Sequence, residues 1–133
     1  MTSSPALRVL VVEDETLIRW SIAETLAQHG HAVVEAGSAA TAVQVLHDTA
    51  APIDVVLLDY RLPDSNDLEL LARIRRLRPE SAVVMMTAYG SAEVTQGALD
   101  LGAFRVVNKP FDLRGLEPLL HEARRFHLRP RAH

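Results

Sequence analysis

The sequence has 133 residues, of which 48% are apolar and 23% charged, a composition typical of one globular domain. It contains no cysteine, which excludes disulfides and thiolate metal sites, and its net charge of −3 gives no support for nucleic-acid binding. No apolar run approaches the ~20 residues needed to span a bilayer, and the N-terminal stretch MTSSPALRVL lacks a signal-peptide pattern. We therefore expect a cytoplasmic domain that neither enters a membrane nor binds nucleic acid directly.

Five short apolar runs alternate along the chain with stretches that repeat apolar residues every three or four positions. Short continuous runs of β-branched and apolar residues predict strands that are buried on both faces. The predicted strands are residues 7–12, 31–35, 55–58, 81–86 and 104–107. The repeating stretches predict five helices, whose marker residues are Ile18, Ile22 and Leu26; Ala39, Ala42, Val43 and Leu46; Leu68, Leu71, Ile74 and Leu77; Val94, Ala98 and Leu101; and Leu116, Leu119, Leu120 and Ala123.

Glycine and proline mark where several of these helices begin and end. Gly30 and Gly102 follow the first and fourth helices and suit a left-handed stop. The third helix must end before Pro79. The last helix is predicted to start near Asp112, but Pro118 removes a backbone donor after its first turn, so we expect a late or irregular start.

The alternation of strands and helices predicts an α/β fold. Repeated βαβ units with right-handed crossovers give a five-stranded parallel sheet, doubly wound with five helices on its two faces. We expect a flavodoxin-like sheet with strand order 2-1-3-4-5. The predicted domain occupies residues 1–126, and residues 127–133 are expected to form a C-terminal tail or a truncated linker.

Polar side chains follow four of the predicted strands, where the carboxyl ends of a parallel sheet meet at one edge. They are Glu13 and Asp14 after the first strand, Asp59 after the third, Thr87 after the fourth and Lys109 after the fifth. Three crowded carboxylates repel one another unless a hard, oxygen-seeking cation such as Mg²⁺ neutralises them. An Asp carboxylate can attack phosphorus, and an ammonium with a hydroxyl can stabilise the transferring group.

Four motifs at these positions, VVEDE, LLDYRLP, MMTAYG and NKPF, together resemble the receiver domain of two-component response regulators. The resemblance covers roughly residues 8–125, and it is greatest for receivers of the nitrogen-regulation class. It implies a phosphoacceptor signalling switch that takes a phosphoryl group from a histidine kinase or a phosphotransfer protein. It also implies that the chain is not an enzyme, apart from promoting its own phosphorylation and dephosphorylation.

The resemblance assigns a role to each residue at the sheet edge. Asp59 is the implied phosphoacceptor, and Asp14 is the implied direct ligand of Mg²⁺. Glu13 is expected to reach the metal through water, and the backbone carbonyl of Arg61 to be a third protein ligand beside Asp14 and Asp59.

Two further residues carry over as contacts of the phosphoryl group, namely the hydroxyl of Thr87 and the ammonium of Lys109. The resemblance also implies a cis peptide between Lys109 and Pro110. Phosphorylation is expected to change the surface formed by the fourth helix, the fifth strand and the fifth helix, through which members of the family often form homodimers.

Two departures from the family pattern affect these expectations. Val106 stands where an aromatic ring usually moves inward together with the hydroxyl of Thr87, so the switch is weaker here or is reported by Phe104 or Tyr89. Asp67 stands where glycine is usual, which predicts a loop that is differently shaped or slightly strained.

Two other functions remain open. A phosphorylation-independent interaction module on the same scaffold is favoured by Val106. A phosphohydrolase with an aspartate nucleophile is disfavoured, because such enzymes resemble one another in placing a second Asp two residues after the nucleophile, where this chain has Arg61.

Overall fold

The computed structural model describes residues 5–48, 50–88 and 90–128, in which strands and helices alternate. The strands are β1 (Arg8–Val12), β2 (Ala32–Ala36), β3 (Val55–Asp59), β4 (Ala82–Thr87) and β5 (Arg105–Asn108). The helices are α1 (Thr16–Gln28), α2 (Ala39–Asp48), α3 (Glu69–Leu77), α4 (Ala92–Asp100) and α5 (Leu116–Leu128), with a short 3-10 helix at Leu113–Gly115. All ten predicted elements are present, and the strand ends differ from the prediction by one residue at most.

The five strands form one parallel sheet in the order β2-β1-β3-β4-β5, which confirms the predicted flavodoxin-like fold. At the carboxyl ends the register pairs Asp59 with Met86 and Thr87 with Asn108. The loops that follow β1, β3, β4 and β5 therefore meet at one edge of the sheet.

The core consists of two apolar layers, one on each face of the sheet. Successive residues of a strand point to opposite faces, so Val56 and Leu58 enter one layer while Val55 and Leu57 enter the other. The first layer is closed by α2, α3 and α4, through residues that include Ala42, Leu46, Leu71, Ile74 and Ala98. The second is closed by α1 and α5, through Ile22, Leu26, Leu116, Leu120 and Ala123. Burial on both faces explains why the central strands are continuously apolar.

The predicted helix stops at Gly30 and Gly102 are confirmed, because both glycines have positive φ, at 87° and 104°. The last helix begins later than Asp112. Asp112 instead caps the 3-10 helix by accepting a hydrogen bond from the backbone N–H of Arg114, at 2.9 Å. Pro118 then lies in the first turn of α5, where its missing N–H leaves no helical bond unmade.

The loop between β3 and α3 does not contain the strain expected at Asp67. No residue other than glycine has a positive φ in the described parts of the chain. The Asp67 carboxylate instead accepts a hydrogen bond from the backbone N–H of Glu69, at 2.9 Å, and so shapes the start of α3. The loop is thus held by this side-chain hydrogen bond and by backbone hydrogen bonds between Leu62 and Ser65, and not by left-handed backbone.

Val106 on β5 is partly buried against the first apolar layer, as a β-branched strand residue should be. Tyr89 and residues 129–133, which form most of the predicted tail, lie outside the described residues. Among the described residues, no helix is long and apolar enough to cross a bilayer.

Candidate functional site

Asp59 is the last residue of β3 and is 5% exposed, at the carboxyl edge of the sheet. One carboxylate oxygen, Oδ2, accepts a hydrogen bond from the Nζ of Lys109 at 3.0 Å. The other, Oδ1, accepts from the backbone N–H of Arg61 at 3.2 Å. These two contacts fix the orientation of the largely buried carboxylate at the carboxyl end of β3.

Lys109 joins the buried carboxylates from two strands. Its ammonium forms an ion pair with Glu13 as well as with Asp59, although the three residues belong to distant parts of the chain. Burial alone would lower the pKa of Lys109, but hydrogen bonds and charges from Glu13 and Asp59 outweigh it and raise the pKa above its ordinary value. Lys109 therefore remains positively charged at neutral pH.

The two acids after β1 have different environments. Glu13 is fully buried, and its carboxylate accepts a hydrogen bond from the backbone N–H of Glu15 at 3.1 Å in addition to its contact with Lys109. Asp14 is exposed. Glu13 is thus directly paired with a cation, while Asp14 presents its carboxylate to solvent beside Asp59.

The donor set fits a hard divalent cation. Carboxylate oxygens of Glu13, Asp14 and Asp59 all lie within 4.8 Å of one another. Lys109 neutralises only part of this charge, so an excess of negative charge remains at an oxygen-rich, partly exposed site. Mg²⁺ prefers such ligands and usually keeps several waters, which the exposed Asp14 side allows.

Thr87 ends β4 next to Asp59 in the sheet and is 2% exposed. Its carbonyl accepts a hydrogen bond from the backbone N–H of Lys109 at 2.8 Å, which ties the ends of β4 and β5 together. A side chain at Gly90 would come within 3.0 Å of the Thr87 methyl and 2.6 Å of the Asn108 amide oxygen. Gly90 therefore allows the loop after β4 to lie close to both strand ends.

The peptide bond between Lys109 and Pro110 is cis. All five side chains that the sequence places at the sheet edge lie at the carboxyl ends of their strands. Of these, Glu13, Asp14, Asp59 and Lys109 are joined by recorded contacts or short separations.

One contact at the site has no counterpart in the sequence analysis. Arg19 of α1 donates a hydrogen bond from Nη1 to the backbone carbonyl of Glu13, at 2.7 Å. An arginine one turn into an amphipathic helix has no feature that distinguishes it from a solvated surface charge. Only the folded geometry identifies it.

A second group of possible metal ligands, His31, Glu117 and His121, lies at the opposite edge of the sheet. The backbone N–H of Leu7 donates to Nδ1 of His31 at 2.8 Å, so the neutral ring has its proton on Nε2 and donates it to Glu117, at 3.1 Å. His121 also lies against this carboxylate, without hydrogen-bond geometry. Because the Nε2 of His31 has no free lone pair, this group is better described as a hydrogen-bonded lock than as a metal site.

Comparison with known proteins identifies relatives for most of the chain. A family model described as the response regulator receiver domain matches residues 9–121. The DNA-binding transcriptional regulator NtrC of Azospirillum brasilense is 33% identical over 118 residues, which are 89% of this chain and 24% of that protein. Sporulation initiation phosphotransferase F of Bacillus subtilis is 31% identical over 106 residues, which are 80% of this chain and 84% of that protein.

Comparison with solved structures also identifies response regulator receiver domains as similar to this chain. The crystal structure of a CheY-like response regulator receiver domain protein from Methanospirillum hungatei JF-1 has a TM-score of 0.85 and 29% identity, covering 92% of this chain and 97% of the other. The chain spans about a quarter of the length of the NtrC-type relatives.

Proposed function

The chain belongs to the response regulator receiver domain family, and we propose that it is a phosphoacceptor switch whose phosphorylated residue is Asp59. The single observation that supports this best is the hydrogen-bonded carboxylate of Asp59 between Lys109 and the acid pair. The donor is a phosphohistidine on a histidine kinase or a phosphotransfer protein, and we expect the exchange to occur in the cytoplasm.

The proposed reaction transfers one phosphoryl group without oxidation or reduction. A carboxylate oxygen of Asp59 attacks phosphorus as the phosphorus–nitrogen bond of the phosphohistidine breaks, which leaves an acyl phosphate and an imidazole ring that takes up one proton from water. Lys109 remains charged beside the reacting carboxylate and stabilises the negative charge on the transferring oxygens. The hydroxyl of Thr87 contacts the product phosphoryl group.

Mg²⁺ is the proposed cofactor. Asp14 and Asp59 would bind it directly, together with the backbone carbonyl of Arg61, and Glu13 would contribute through water or through its charge. When bound, the ion supplies positive charge next to the transferring phosphoryl group. The ion pair between Glu13 and Lys109 meanwhile keeps the ammonium directed at Asp59.

The proposed output is a changed surface on α4, β5 and α5, by way of Thr87 and Val106, and this surface can also support a homodimer. Activities of a longer protein, including any DNA binding, would belong to other domains. A second candidate is an interaction module that ignores phosphorylation, and it is supported by Val106, which has no ring to move. It predicts that partner binding is unchanged in Asp59→Asn.

Incubation with a small phosphodonor and Mg²⁺, followed by intact-mass spectrometry, tests the proposal. We expect one added phosphoryl group in the wild type and in Asp100→Asn, which alters an exposed acid on α4 far from the site. We expect none in Asp59→Asn or when Mg²⁺ is chelated. An unmodified wild type, or modification that persists in Asp59→Asn, would contradict the proposal.

A further inference from the structure

Arg19 connects the acid pair to the neighbouring strand. Its Nη1 donates to the carbonyl of Glu13 at 2.7 Å, and its Nε donates to the carboxylate of Glu35, in β2, at 3.1 Å. We propose that Arg19 is a positioning residue that orients the Glu13–Asp14 peptide and thereby holds Asp14 ready for a divalent cation. This inference rests on the proposed function, since it concerns the metal site of the same switch.

The reason lies in the rigidity of the peptide unit. The carbonyl oxygen of Glu13 and the N–H and Cα of Asp14 lie in one plane, so holding the oxygen also fixes the N–Cα bond of Asp14, the axis about which its side chain turns. The other side of Glu13 is already fixed, because its N–H donates to the carbonyl of Ala36 at 3.0 Å. Asp14 itself is exposed, so backbone orientation decides where its carboxylate can reach.

Gly37 provides space for this contact. A Cβ at Gly37 would lie 3.2 Å from Nη1 of Arg19, closer than an unstrained carbon–nitrogen contact. Gly37 follows β2 and is not among the proposed metal ligands. Replacing Gly37 with alanine would therefore displace the guanidinium of Arg19 without altering any carboxylate at the site.

Positioning and electrostatics predict opposite results when Arg19 is replaced. Arg19 is a positive charge near a site for a cation, so simple repulsion predicts that its removal tightens Mg²⁺ binding. Positioning predicts weaker binding, because Asp14 must then be ordered by the metal itself. The sign of the change in affinity therefore separates the two explanations.

The experiment measures the dissociation constant for Mg²⁺ by calorimetric titration of the unphosphorylated full chain. We expect Arg19→Met, which keeps an unbranched aliphatic stem but has no donor, to raise the constant about tenfold, as removal of outer-shell partners does elsewhere. Arg19→Lys should recover part of the affinity, since one donor can reach the carbonyl. Gly37→Ala should produce a smaller change in the same direction.

Glu35→Gln is the matched control, because it removes the ion pair but leaves Arg19 free to hold the carbonyl of Glu13. It should bind Mg²⁺ like the wild type. With a small phosphodonor, Arg19→Met should need more Mg²⁺ for half-maximal phosphorylation yet reach a similar rate at saturation. A purely structural role would lower the melting temperature and leave this Mg²⁺ dependence unchanged.

The inference is overturned if Arg19→Met binds Mg²⁺ as tightly as the wild type or more tightly. That outcome would leave the proposed phosphorylation of Asp59 intact. Conversely, a wild type that binds Mg²⁺ but accepts no phosphoryl group would contradict the proposed function and leave the role of Arg19 in metal binding standing. If the wild type does not bind Mg²⁺, both the proposed function and the positioning role of Arg19 are contradicted.

Discussion

Lys109 is the only lysine in the 133-residue sequence; every other side chain counted with it as basic is arginine. Arginine presents a planar fork, whereas the lysine ammonium is a compact charge that fits between two carboxylates. The ammonium of Lys109 lies between Glu13 and Asp59, and 15% of the Lys109 side chain is exposed. At the scale of a single residue, the chemistry of the site therefore depends on one ammonium.

We predict that the pKa of Lys109 lies above its ordinary value of 10.5 and falls when Glu13 is changed to glutamine. Since the folded state raises this pKa, the stability that the charged ammonium adds is fully present below pH 10.5 and is lost as pH rises through the higher folded value. Carbon-13 NMR of protein labelled at the lysine Cε can measure it, because one lysine gives one side-chain signal. A titration at or below the ordinary value would contradict the prediction.

The roles of single residues were predictable from sequence to an unequal extent. Asp59 and Thr87 directly follow predicted strands and Lys109 follows one residue later, so strand prediction alone brings them to one edge. The ion pair of Glu13 with Lys109 joins residues 96 positions apart, and no local pattern encodes which acid the ammonium contacts. The contact from Arg19 to a backbone carbonyl leaves no trace in the pattern of side chains.

At the scale of elements, strands were easier to predict than helix contacts. A short, β-branched apolar run such as that in β3 favours a buried strand by its length and composition, whereas helix amphipathicity fixes a face without identifying the element that packs against it. Ala98 alone is buried on α4, and Leu99 and Leu101 remain 40% and 39% exposed. This helix therefore buries less apolar surface than α3, which suits the change of surface that we propose for it.

The lock formed by His31, Glu117 and His121 fastens α5 to the start of β2. Burial disfavours ionisation of Glu117, but the hydrogen bond from His31 and the contact with His121 outweigh it and lower its pKa. Ionised Glu117 therefore adds stability that is complete above its ordinary value of 4.5 and is lost as pH falls through the lower folded value.

We predict that Glu117→Ala lowers the free energy of unfolding by about 2 kcal/mol at pH 7, because the buried N–H of His31 loses its acceptor. Glu117→Gln retains an acceptor oxygen, so its loss should be smaller and should shrink below pH 4.5. Glu122→Ala, on the exposed side of α5, is the control and should change little. Urea unfolding at several pH values measures these differences, and equal losses in both alanine variants would contradict the role of the lock.

At the scale of the whole molecule, the three carboxylates at the carboxyl edge of the sheet suit metal binding, but their mutual repulsion opposes folding when no cation neutralises them. The fold brings one carboxylate oxygen each from Glu13, Asp14 and Asp59 within 4.8 Å of one another, and like charges this close repel to the extent that Lys109 or a bound cation does not neutralise them. A cation that binds only the folded state reverses this effect by mass action. Stability of the entire domain should consequently report on occupancy of the site.

We predict that Mg²⁺ raises the melting temperature of the wild type. In the absence of Mg²⁺, Asp14→Asn should melt at a higher temperature than the wild type, and adding Mg²⁺ should raise the melting temperature of this variant only slightly. The wild type should gain about 2.7 kcal/mol when Mg²⁺ is at 100 times its dissociation constant. For a domain of this size that corresponds to roughly 10 °C. Differential scanning calorimetry with Mg²⁺ or a chelator provides the measurement, and Asp100→Asn should respond like the wild type. If Asp14→Asn responds to Mg²⁺ as strongly as the wild type, the assignment of Asp14 as a ligand is contradicted. If Asp14→Asn has a lower melting temperature than the wild type in chelator, repulsion among the carboxylates is too weak to affect the stability of the fold.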